Sequence, residues 1–106
     1  MVLTLTLGLA GLAHNSSSQS YWTISNCSLW GEQTYNAVSD KASATVWDSN
    51  NNCGTVKVRM YYWDNLEVLR LTSWYSHPTA YQLLRNASDG EKGQYQGLGV
   101  TKSLLH

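Results

Sequence analysis

The residues with chemistry to offer are few and scattered. Glu67, His77, Arg59 and Arg70 are the set from which a base, an acid and a phosphate grip could be assembled. In a small secreted hydrolase such as a ribonuclease, Glu67 would act as base and His77 as acid, with the arginines holding phosphate. No G-x-S-x-G elbow accompanies the many serines and threonines. His77 stands beside Pro78, where a lone histidine is ordinarily a solvated loop residue. A second chemistry is oxygen ligation: Asp48, Asn50 and Asn52 alternate in "DSNNNCGT" and could surround Ca²⁺. The same letters also describe a plain hairpin loop, because Asn tolerates left-handed backbone. A third is recognition. Lys57, Arg59 and Tyr61 alternate along one stretch and Arg70 follows, with Trp47 and Trp63 as stacking partners. Arginine beside tyrosine suits anionic groups or sugar rings.

These side chains depend on strands for their placement. "VKVRMYYWDNLEVLRLTSWY" (56–75) reads as two alternating strands folded about Asp64-Asn65. That turn sets Trp63 opposite Leu66, Met60 opposite Leu69 and Val58 opposite Leu71, burying apolar against apolar. It also sets Arg59 opposite Arg70, with Lys57 and Tyr61 on the same outer face. Glu67 then lies opposite Tyr62 and points away from both arginines, which weakens the ribonuclease reading. "YWTISNCSLW" reads as one strand with Trp22, Ile24, Asn26, Ser28 and Trp30 on one face, and "ASATVWD" as another. "TAYQLLRNAS" fits a strand through Tyr81, Leu83 and Arg85, or a short helix near 79–87 capped by Thr79; its β-rich neighbours favour the strand. "GQYQGLGVTKSLL" reads as a strand whose Gly97 and Gly99 admit a close second layer. The expected fold is all-β: an antiparallel β-sandwich or small barrel of about six short strands.

A chain of 106 residues holds one domain. With 13% charged residues and a formal net charge of zero, no global field draws in nucleic acid or an anionic membrane, so recognition must be local. Five Trp, seven Tyr and no Phe give every aromatic ring a polar tip. Residues 1–13, "MVLTLTLGLAGLA", are apolar and uncharged, and have the outline of a signal peptide cleaved after Ala13; the alternative is a first strand of alternating Thr. The run is too short to span a bilayer, so the mature form has no membrane span. Residues 14–20 are a polar tail expected to be disordered, leaving a β domain over 21–106. Cys27 and Cys53 suit an exported protein with one disulfide, the alternative being two buried thiols. Their spacing is wrong for zinc, and no cofactor motif occurs. Sequons begin at Asn15, Asn26 and Asn86 and would be glycan acceptors in a eukaryotic secretory pathway.

"SATVWDSNNNCGTVKVRMYY" resembles the small secreted, mostly uncharacterised β-rich proteins of actinobacteria, in which an Asp-containing turn joins two strands. The residues that carry the likeness are Val46, Asp48, Cys53, Val56 and Val58; it implies a β fold and an extracellular address and brings no catalytic residues. Asn51-Asn52-Cys53-Gly54-Thr55 also resembles the calcium loop of βγ-crystallins, with Val56 standing where that pattern has a serine. Together these features point to a secreted noncatalytic binding module that recognises a partner protein or an anionic or glycan envelope component through an aromatic and basic sheet face. The alternatives are the hydrolase built on Glu67 and His77, and a structural or toxin-like protein that exposes an apolar patch or an open strand edge.

Overall fold

The computed structural model describes residues 15–105, so the signal peptide read at 1–13, with His14 and His106, lies outside the described residues. The described residues form nine strands in chain order: β1 (Ser16–Ile24), β2 (Cys27–Asn36), β3 (Lys41–Asp48), β4 (Val56–Trp63), β5 (Leu69–Leu71), β6 (Tyr75–His77), β7 (Ala80–Asn86), β8 (Asp89–Gly97) and β9 (Val100–Leu105). They form two antiparallel sheets: β1-β2-β3-β7, and β9-β8-β4 with β5 and β6 sharing the far edge of β4. The layers pack face to face as a small β-sandwich pinned by the Cys27–Cys53 disulfide. No helix among the described residues is long and apolar enough to cross a membrane.

Local turn chemistry explains why there are more strands than the hydrophobic pattern suggests. "YWTISNCSLW" is a hairpin and not one strand. Ile24 pairs with Cys27 across Ser25-Asn26, and Ser25 takes φ 58°, as the first central residue of a type II′ turn must. Likewise Leu98 and Gly99, at φ 51° and 74°, form a two-residue turn between β8 and β9 and do not continue a strand. Residues 16–20, expected as a disordered tail, are the first half of β1 and pair with Gly31–Tyr35 of β2. The 79–87 segment is strand β7, paired with β3 from Ala80 to Asn86, and its Leu83 is buried against the core; no helix forms there.

The core sits between the sheets and follows strict alternation. On β2, Cys27, Leu29, Gly31, Gln33 and Tyr35 face inward, while Ser28, Trp30, Glu32 and Thr34 face out. Val56, Val58 and Met60 of β4 and Tyr95 of β8 meet them from the other layer. Tyr95 crosses the interior and packs against Trp22 with the rings tilted by 31° and their centroids 5.6 Å apart. Gly93 makes room for it, because a Cβ there would lie 2.1 Å from the Tyr95 hydroxyl. Gly97 does the same for the disulfide, as its close-layer reading requires: a Cβ would approach the Cys27 sulfur to 3.1 Å.

The β4–β5 register differs from the one argued from burial. Trp63 pairs with Leu69, Tyr62 with Arg70 and Tyr61 with Leu71, around a five-residue loop in place of the tight Asp64-Asn65 turn. Asp64 organises that loop: its carboxylate accepts from the Leu66 and Val68 amides, and its own N–H donates to the Val68 carbonyl. Glu67 turns the chain at φ 60°. Local hydrogen bonds thus outweigh the apolar pairing, and Leu69 and Leu71 remain 45% and 46% exposed. Between β5 and β6, Thr72 keeps the ladder intact with its side chain. The Thr72 N–H donates to the Met60 carbonyl at 3.0 Å, and the Met60 N–H donates back to the Thr72 hydroxyl at 3.1 Å.

Candidate functional site

Lys57, Arg59, Tyr61 and Trp63 do share the outer face of the β9-β8-β4 sheet, but most of this face is bound to itself. Arg59 donates through Nε to Gln94 at 2.6 Å and lies 4.5 Å over the Trp74 ring. Lys92 sits 4.8 Å from the Tyr61 ring, and the Trp63 indole donates to Glu91. Gln94 reaches Ser103, and Gln96 reaches Thr101. Arg70 is not part of the face. The shifted register puts it opposite Tyr62, on the other side of the strand from Arg59, where it pairs with Asp64 at 2.7 Å. The Val68 amide, then the Arg70 pairing and the Leu66 amide, lower the Asp64 carboxyl from its ordinary value. The basic strip expected at Lys57, Arg59 and Arg70 therefore does not assemble, and Trp47 lies on the other sheet.

Glu67 and His77 are not brought together either. Glu67 is in the loop beyond Trp63, whereas His77 pairs with Val56 at the opposite end of β4. Those ends, Val56 and Trp63, bound a strand of 8 residues and lie roughly 23 Å apart. His77 accepts the Thr79 and Ala80 amides on Nδ1 and so stabilises the turn into β7. Asp48, Asn50 and Asn52 do cluster, but as scaffold. The buried Asp48 carboxylate accepts the amides of Asn50, Asn52 and Cys53, and the Asn50 and Asn52 side-chain amides both donate to the Asn26 carbonyl of the β1–β2 turn. Among the described residues no group of three or more His, Cys, Asp or Glu is placed to hold a metal ion. At the tip of the β4–β5 hairpin Leu66 and Val68 are exposed beside Leu69 and Leu71, on an open sheet edge.

The outer face of the β1-β2-β3-β7 sheet is arranged differently. Tyr21 of β1 pairs with Trp30 of β2, Trp30 with Trp47 of β3, and Trp47 with Ala80 of β7, so three rings cross the sheet in one row. Ring centroids are 6.5 Å apart for Tyr21 and Trp30 and 6.3 Å for Trp30 and Trp47, with tilted and edge-on planes. Tyr21 is 62% and Trp47 41% exposed. One pleat along runs a parallel polar row: Gln19, Glu32, Thr45 and Gln82, each paired with the next across β1, β2, β3 and β7. Among the described residues, no hydrogen-bond partner takes the Tyr21 hydroxyl, either indole N–H of Trp30 and Trp47, or the side chains of Gln19, Glu32, Thr45 and Gln82. The next row is satisfied, since Thr34 and Ser43 hydrogen-bond to each other.

Sequence reasoning named Trp47, as a partner of the Lys57, Arg59 and Tyr61 face on the other sheet, and did not name Tyr21 or Trp30. Reading "YWTISNCSLW" as one strand puts Tyr21 and Trp30 on opposite faces; reading Ser25-Asn26 as a two-residue turn pairs them. The signal was the polar Ser-Asn couple between two alternating runs. Comparison with protein-family models, with curated proteins and with solved structures finds no match to this chain.

Proposed function

We propose that this protein is a secreted, noncatalytic binding module whose ligand is a glycan, held on the outer face of the β1-β2-β3-β7 sheet. The observation that carries the reading is the row of Tyr21, Trp30 and Trp47 beside the accessible side chains of Gln19, Glu32 and Gln82, polar groups that the protein leaves unengaged, while the Thr45 hydroxyl between them is buried. A sugar ring has an apolar C–H face and a rim of hydroxyls. Exposed Trp and Tyr rings cover the first at low entropic cost, while side-chain amides and a carboxylate meet the second. Strands hold both rows rigidly, and neighbouring strands are about 4.8 Å apart, so a ligand chain lying across the sheet meets one ring after another. The disulfide supports an oxidising, extracytoplasmic setting.

The test is binding of the folded protein to immobilised polysaccharides, comparing wild type with Trp47→Ala. Because the ring is largely outside the core, the variant keeps its circular dichroism spectrum and thermal midpoint. Its affinity drops by about tenfold or more, as for a central aromatic anchor. Unchanged glycan binding in Trp47→Ala combined with Tyr21→Ala would sink the proposal. So would binding that depends only on Lys57 and Arg59.

A further inference from the structure

We infer that the glycan is an amino-sugar polymer, with a protonated amine placed against Glu32; this rests on the glycan-binding reading above. Among the described residues, the outer face of the β1-β2-β3-β7 sheet carries two charged side chains, Glu32 and Lys41. Lys41 is at the far end of β3 and already donates to Asn86. It lies four residues along the strand from Thr45, the partner of Glu32, roughly 13 Å away. Glu32 is half-buried in the middle of the polar row, directly beside Trp30, and no cation among the described residues pairs with it. Its neighbours across the strands are Gln19 and Thr45, which neutralise nothing.

A carboxylate in that position sorts ligands by charge. A uronic acid polymer stacked on the aromatic row would bring like charge against Glu32. A neutral polymer would offer it only uncharged donors, hydroxyls or acetamido N–H groups. A glucosamine unit presents an ammonium at the rim of the ring that stacks on Trp30, so stacking and ion pairing are satisfied together. The neighbouring amides of Gln19 and Gln82 remain for the sugar hydroxyls.

The experiment measures affinity for a glucosamine oligomer, its fully N-acetylated counterpart and a uronic acid oligomer of equal length, below pH 6 where the amine is protonated. Wild type is expected to favour the glucosamine oligomer over the acetylated one by about two- to fivefold, the size of one partly exposed ion pair, and to bind the uronic acid oligomer most weakly. Glu32→Gln, which keeps the shape and a hydrogen-bonding group, brings the affinity for the glucosamine oligomer down to that for the acetylated one, so the preference is lost. Equal affinities in wild type, or a preference that survives Glu32→Gln, overturns the role of Glu32 and leaves the glycan reading standing if Trp47→Ala still weakens binding. Absence of binding to all three oligomers overturns both.

Discussion

Thr72 offers the sharpest test of how the second sheet is held together. Its hydroxyl stands where a strand would ordinarily place a backbone carbonyl, accepting the Met60 N–H at 3.1 Å and donating to the Ser73 carbonyl at 2.9 Å. Both Met60 and Thr72 are buried, so water cannot replace a lost partner at the Met60 amide. Thr72→Val preserves the branched shape and deletes the acceptor, leaving a buried N–H unsatisfied at a cost of about 1–3 kcal/mol. For a domain of this size, that lowers the thermal midpoint by roughly 4–8 °C per kcal/mol. Thr72→Ser keeps the hydroxyl and removes one methyl, costing at most about 0.8 kcal/mol. The order of stability should therefore be wild type, then Ser, then Val, measured by denaturant unfolding. Amide hydrogen exchange localises the effect: the Met60 N–H loses protection in the Val variant more than the Val58 N–H does. If Val is as stable as wild type and Ser is the weaker variant, Thr72 matters for its methyl group, and the argument from the hydroxyl is wrong.

Two further outcomes follow from buried groups. Replacing Cys27 and Cys53 by Ala opens a loop spanning a separation of 26 residues and costs about 3.5 kcal/mol in the chain-entropy model, read as a lower urea midpoint; a loss under about 1 kcal/mol would show that the β-sandwich constrains that loop unaided. Burial raises the Tyr95 hydroxyl well above the ordinary tyrosine range, with Glu32 adding to the shift, and burial followed by the Asp40 hydrogen bond raises Tyr35. A phenol whose folded pKa exceeds its unfolded one leaves stability unchanged below about pH 10 and lowers it as pH rises further, because the unfolded chain ionises first. Tyr95→Phe removes a hydroxyl that has no partner among the described residues. The variant should be as stable as wild type or about 1 kcal/mol more so at neutral pH, with a flatter alkaline limb in a pH series of urea melts. A steeper limb would contradict this account of Tyr95.

Much of the architecture was legible in the residues themselves. The alternation of Val56, Val58 and Met60, the turn letters at 48–54, and a pair of cysteines in a weakly charged, tryptophan-rich chain were enough for an all-β sandwich with a disulfide. Period-2 burial and turn propensity are local properties, and local sequence reports them. Register and face assignment are not local. One residue of slip moves every side chain to the other surface, and the deciding interactions were hydrogen bonds that composition does not show. The Asp64 carboxylate gathering the Leu66 and Val68 amides took Arg70 away from Arg59. The Ser25-Asn26 turn, once recognised, brought Tyr21 and Trp30 onto one face, and only the pairing of β2 with β3 set Trp47 beside them. The sequence by itself thus determined which rings and charges the protein owns and that strands would carry them. Tertiary structure alone decided which of them share a surface, because that depends on contacts between segments far apart in the chain.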